Sequence, residues 1–97
     1  MNRESLLDLL GQNAPEIRRR FDVKRLAVFG SVARDEAGEA SDVDVLVEFI
    51  DRADFDRFMD LKFHLEELLG TRVDLVTVSA LRPQLRRGIE QESIRVA

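Results

Sequence analysis

The stretch that decides the reading is "FGSVARDEAGEASDVDVLVEF", Phe29 to Phe49. An apolar run, "RLAVF" from Arg25 to Phe29, reads as a short buried strand that ends at Gly30-Ser31. Ser31 to about Glu36 fits a short helix, and "GEAS", Gly38 to Ser41, a loop. "DVDVLVEF", Asp42 to Phe49, is rich in β-branched residues and reads as a second strand, yet it carries two aspartates. Successive strand side chains point to opposite faces, so Asp42 and Asp44 share one face. At ~3.3 Å per residue their backbones lie about 7 Å apart, and the carboxylates can converge on a point between them. Two like charges ~4 Å apart repel by about 4 kcal/mol at an effective dielectric near ~20. A cation turns that repulsion into a binding site. Oxygen ligands in a chain with no cysteine favour a hard ion such as Mg²⁺ or Mn²⁺.

Working outward, Arg3 to about Arg20 reads as an amphipathic helix, with Leu6, Leu7, Leu10, Ala14 and Ile17 at spacings of three and four. Gly11 and Pro15 weaken it and are expected to split it. Phe55 to Leu69 is a strong helix pattern with Phe55, Phe58, Met59, Leu61, Leu65, Leu68 and Leu69 on its core side, and Gly70 stops it. "RVDLVTV", Arg72 to Val78, is a third strand, and Pro83 opens a last helix to about Gln91. The order predicts an α/β fold of the α+β type, a small mixed β-sheet of few strands with helices packed on it. With 97 residues, the expectation is one domain over residues 1–97, with one modest core.

Asp74 is a third acid, set inside the apolar "VDLV". An Asp in a buried strand is unfavourable without a partner. If the third strand lies beside the second, Asp74 completes a three-carboxylate cluster. Such a cluster can hold two divalent ions, orient a triphosphate and activate an attacking oxygen. Gly30-Ser31 supplies the complementary half. A glycine at a strand end lets a ligand approach the backbone, and a helix starting at Ser31 would direct free N–H groups and its dipole at anions. Neither a P-loop nor G-x-G-x-x-G is present. A lone D-x-D or a lone Gly-Ser is more often a solvated strand edge or a turn; together, with a third Asp in a later apolar strand, they are specific.

The net charge of -4 argues against non-specific nucleic-acid binding, which needs a basic face. The absence of cysteine excludes disulfides and thiolate metal sites. No apolar run approaches the ~20 residues of a membrane span, and "MNRESLLDLLGQN" lacks a signal-peptide pattern. A cytoplasmic protein with no membrane association is expected.

"GSVARDEAGEASDVDVLV" resembles the signature of the DNA polymerase β-type nucleotidyltransferase superfamily: G-S, a spacer of about ten residues, D-x-D, then a later Asp. Within it, the short length and "GSVAR…SDVDVLVEF" resemble the minimal nucleotidyltransferases, the MNT antitoxins of HEPN–MNT toxin–antitoxin pairs. The resemblance covers roughly Leu26 to Val78. It implies that Gly30 and Ser31 bind nucleotide phosphates and that Asp42 and Asp44 ligate two Mg²⁺ ions. It implies that Asp74 completes the metal site and helps activate the acceptor hydroxyl. ATP is the implied donor, and a tyrosine of a HEPN RNase toxin the implied acceptor, silenced by AMPylation. Asp35 stands where many members have Gly, and Ala40 where many have an acidic or polar residue. Neither is a metal or phosphate position.

Two further nucleotide contacts enter with alternatives open. Arg34 could reach a phosphate or sit on the helix surface, and Ser41 could touch the nucleotide or shape the turn. Lys62 and His64 fit a solvated or structural role on the long helix. The chain has no tyrosine, so the acceptor must come from elsewhere. The length leaves no room for a large substrate-binding domain, so a hetero-oligomer in which the partner completes the cleft is expected. The rival readings are a free-standing small-molecule nucleotidyltransferase and a non-catalytic antitoxin that acts by occlusion.

Overall fold

Alternation along three strands builds a sheet that packs one face against the two long helices and also buries Ala27 and Leu46 on the other. In a computed structural model, residues 2–36 and 42–97 are described. The elements are α1 (Arg3–Phe21), β1 (Val23–Phe29), α2 (Gly30–Ala33), β2 (Val43–Phe49), α3 (Phe55–Leu69), β3 (Val73–Thr77), a 3₁₀ turn (Val78–Ala80), α4 (Pro83–Glu92) and β4 (Ile94–Arg95). The sheet order is β3-β2-β1-β4. β1 pairs antiparallel with β2 and β4, and β2 pairs parallel with β3. The parallel pair needs a crossover, and α3 supplies it. The mixed sheet with packed helices is the fold class that the sequence predicts.

The odd residues of β2, Val43, Val45 and Val47, point into the core. They meet Leu26 and Val28 of β1 and Val73 and Leu75 of β3. Leu6, Leu10, Ile17 and Phe21 of α1, with Leu61, Leu65 and Leu69 of α3, close over them. Each such side chain contributes roughly 1.5–3 kcal/mol by leaving water. The even residues, Asp44 among them, therefore face the other way.

Helix ends follow local chemistry. The Asn2 side chain accepts from Ser5 N–H at 2.8 Å, and Asp54 accepts from Arg57 N–H at 2.8 Å. Gly70 ends α3 in the left-handed region, φ 68°, donating its N–H to the Glu66 carbonyl. Glu66 also accepts from Val73 N–H at 3.0 Å and Lys62 Nζ at 3.1 Å. That ties the end of α3 to the start of β3, and the Val73 N–H, with Lys62, holds the Glu66 carboxyl below its ordinary pKa.

Four expectations change. α1 is one helix through Gly11 and Pro15; both residues are exposed, so the Gly11 carbonyl that Pro15 has no N–H to serve can turn to water. Phe55, at the first position of α3, is 74% exposed and lines a surface groove with Phe49 and Phe58. α2 stops at Ala33 and is a single turn. A fourth strand, β4, is present; its two residues are too short to leave a pattern. Asp35 takes φ 59°, a left-handed conformation that favours Gly and that Asp tolerates.

A Cβ added at Gly11 meets no atom within 4 Å. Gly11→Ala should therefore stabilise the fold by about 0.5–1 kcal/mol, read as a higher midpoint in urea. A lower midpoint would mean that Pro15 is tolerated only because Gly11 lacks a side chain.

Candidate active site

The site grows from the register of β2. Asp44 lies opposite Phe29 on β1 and opposite Asp74 on β3. Neighbouring strands run ~4.8 Å apart, so the two acids stand side by side on the face away from α1 and α3. Asp74 is exposed there rather than buried, which removes the desolvation cost that its apolar neighbours suggest. Asp42, just before β2, is also exposed, and Asp44 is half-buried.

The acids sense one another. Burial raises the Asp44 pKa above its ordinary value, and the charges of Asp74 and Asp42 raise it further. Arg34 opposes the shift, and Glu92 adds to it. Among the described residues no three His, Cys, Asp or Glu side chains already meet as a closed metal cage. The donor set nevertheless fits a hard divalent ion: carboxylates only, mutually repelling, on one face of the sheet.

Gly30 closes the site from the β1 side. Its φ is 73°, and a Cβ there would collide with the Asp44 carboxylate. Glycine is thus required twice, by backbone conformation and by contact. Ser31 follows in the first turn of α2, half-buried. With only four residues, α2 has little of the dipole that the sequence suggests. What remains for an anion is the backbone N–H groups of one turn and the Ser31 hydroxyl.

Arg34 comes near Asp44 but is held in ion pairs. Its Nε lies 3.0 Å from Glu36 Oε2 and its Nη1 2.9 Å from Glu92 Oε2. Ser41 lies outside the described residues. Lys62 pairs with Glu66 within α3, and the His64 ring lies tilted, 5.4 Å from the Phe21 ring of α1, so both have structural contacts. Glu92 is the residue that sequence reasoning misses. β4 pairs Ile94 with Val28, and this puts Glu92, two residues earlier, beside Gly30. No local pattern announces it.

The site lies at the end of the sheet where Asp42 and Asp74 are exposed. A groove of about 590 Å³, lined by Phe49, Phe55, Phe58 and Val78, lies at the opposite ends of β2 and β3.

Comparison with known proteins places this constellation. The profile of the nucleotidyltransferase domain matches residues 12–96. The chain belongs to the nucleotidyltransferase domain family. Within that family it is 41% identical over 93 residues to the protein adenylyltransferase MntA of Thermococcus cleftensis, covering 96% of this chain and 94% of that protein. A solved structure of a candidate minimal nucleotidyltransferase is 40% identical, with a TM-score of 0.84 over 97% of this chain and 95% of the other. The MNT antitoxin in complex with the tri-AMPylated HEPN toxin of Shewanella oneidensis shares the fold at 19% identity, TM-score 0.68, over 94% of this nucleotidyltransferase chain and 71% of that chain.

Asp44 gives a stability test. Its folded pKa is raised, so the fold holds its proton more tightly than the unfolded chain does. That contribution is present below the ordinary value of 3.8 and is lost as pH rises through the higher folded value. At neutral pH, without metal, Asp44→Asn should therefore raise Tm slightly, on the order of a few tenths of a kcal/mol after solvent screening. A lower Tm would mean that the ionised carboxylate supports the fold.

Proposed function

We propose that this nucleotidyltransferase uses Mg²⁺ to transfer AMP from ATP to a tyrosine of a HEPN RNase toxin, and so acts as an antitoxin. The observation that carries the reading is the side-by-side placement of Asp44 and Asp74 opposite the Gly30-Ser31 turn. Asp42, Asp44 and Asp74 would hold the ions. Bound there, two Mg²⁺ ions would neutralise the triphosphate charge and the charge developing on the leaving pyrophosphate.

The chain's own residues do the rest. The backbone N–H groups after Gly30 and the Ser31 hydroxyl bind and orient the phosphates. The acceptor oxygen bonds to the α-phosphorus as the bond to the bridging oxygen breaks. Asp74, the more exposed of the paired acids, takes the hydroxyl proton. Ser41 adds a nucleotide contact, and Arg34, held beside the turn by Glu36 and Glu92, meets the phosphates.

The acceptor comes from a partner, since the chain has no tyrosine. The openness of the sheet end supports a hetero-oligomer in which that partner forms the missing wall. A net charge of -4 supports a protein partner over nucleic acid. We place the activity in one domain over residues 1–97, in the cytoplasm. No helix among the described residues is long and apolar enough to cross a membrane.

Intact-mass measurement of a HEPN toxin incubated with this protein, ATP and Mg²⁺ tests the reading. The toxin should gain one or more AMP groups, and chelation of the metal, Asp42→Asn or Asp44→Asn should each lower the rate at least ~10³-fold. Ser31→Ala should act more mildly, by about tenfold. If the Asp42→Asn/Asp44→Asn protein still silences the toxin fully, neutralisation is by occlusion and the transfer reading fails.

A further inference from the structure

We propose that Glu92 is a positioning residue of the phosphate-binding turn, its carboxylate bridging the Gly30 N–H and the Arg34 guanidinium. The inference rests on the transfer reading above and assigns a residue that the metal-and-phosphate signature does not contain. Gly30 N–H donates to Glu92 Oε1 at 3.1 Å, and Arg34 Nη1 donates to Glu92 Oε2 at 2.9 Å. One side chain thus holds both ends of the turn that follows β1.

Its place is built, not incidental. The pairing of β4 with β1 fixes Ile94 opposite Val28. The ion pair of Arg25 Nη2 with Glu90 Oε1, at 2.7 Å, ties the last turn of α4 to β1. α4 buries none of its residues, so these polar ties rather than a core set its position. The Glu92 side chain is 29% exposed, well shielded for a carboxylate near a helix end.

The charge also runs against simple stability. Glu92 adds a negative charge to a neighbourhood that already holds Asp42, Asp44 and Asp74. A neutral acceptor would satisfy Gly30 N–H without that repulsion. What the charge adds is the grip on Arg34, which Glu36 shares from the other side. Glu92 therefore keeps Gly30 in its left-handed conformation and parks Arg34 beside the turn, ready for a phosphate.

Three readouts on the full chain test this. In wild type, the Gly30 amide proton resonance should lie downfield, and Glu92→Ala should move it upfield. With ATP as substrate, Glu92→Ala should raise KM about tenfold with a smaller change in kcat, and Glu92→Gln, which keeps an acceptor but not the charge, should fall between. Tm is followed in parallel. A Glu92→Ala protein that does not fold leaves the decision to Glu92→Gln, whose KM must exceed that of wild type. An unchanged KM overturns the proposal. A lowered KM also overturns it, since Glu92 would then be a carboxylate that blocks the phosphate position. If wild type itself transfers no AMP, the functional reading fails separately, and the Gly30 amide shift still decides whether Glu92 holds the turn.

Discussion

The parallel pairing of β2 with β3 sets Asp44 against Asp74, and the rest of the site depends on that register. A slip of one residue in β2 would turn Asp44 into the core and Val43, Val45 and Val47 out to water. Burying those three valines is worth several kcal/mol in total, at roughly 1.5 kcal/mol or more each. The repulsion between two partly solvated carboxylates is on the order of 1–4 kcal/mol. The core therefore wins and can hold like charges together. The site is a strained electrostatic arrangement maintained by the apolar face behind it.

Around that pair the chain arranges its backbone in tight contact. Gly30 packs against the Asp44 carboxylate with no space for a Cβ, so the Gly30-Ser31 turn and the acids of β2 and β3 are set at one fixed separation. The tie from Glu66 to Val73 N–H fixes where β3 begins and hence where Asp74 falls. On the other side, β4 and the Arg25–Glu90 pair bring Glu92 to the same turn. Residues separated by as many as 62 positions (Gly30 to Glu92) thus meet at one sheet end.

What was legible in the sequence was local. Asp42 and Asp44 share a face because strands alternate, and Gly30-Ser31 ends an apolar strand. Phe55 to Leu69 reads as a helix with an apolar side, stopped at Gly70. Asp74 was visible as an acid in an apolar run, but only the parallel pairing makes it the neighbour of Asp44. Glu92 and β4 were not legible, because their position comes from long-range pairing over two residues. The sequence leaves Arg34 open between a phosphate contact and a surface position, and the structure shows it engaged by Glu36 and Glu92. Phe55 misled because helical spacing says which side a residue faces, not whether the sheet extends beneath it.

The most direct measurement is a crystal structure with Mn²⁺ and a non-hydrolysable ATP analogue, read by anomalous scattering from the metal. The account predicts Mn²⁺ between Asp42, Asp44 and Asp74, with the phosphates against Gly30 and Ser31. Metal elsewhere, or a triphosphate seated in the groove of Phe49, Phe55 and Phe58, would contradict it.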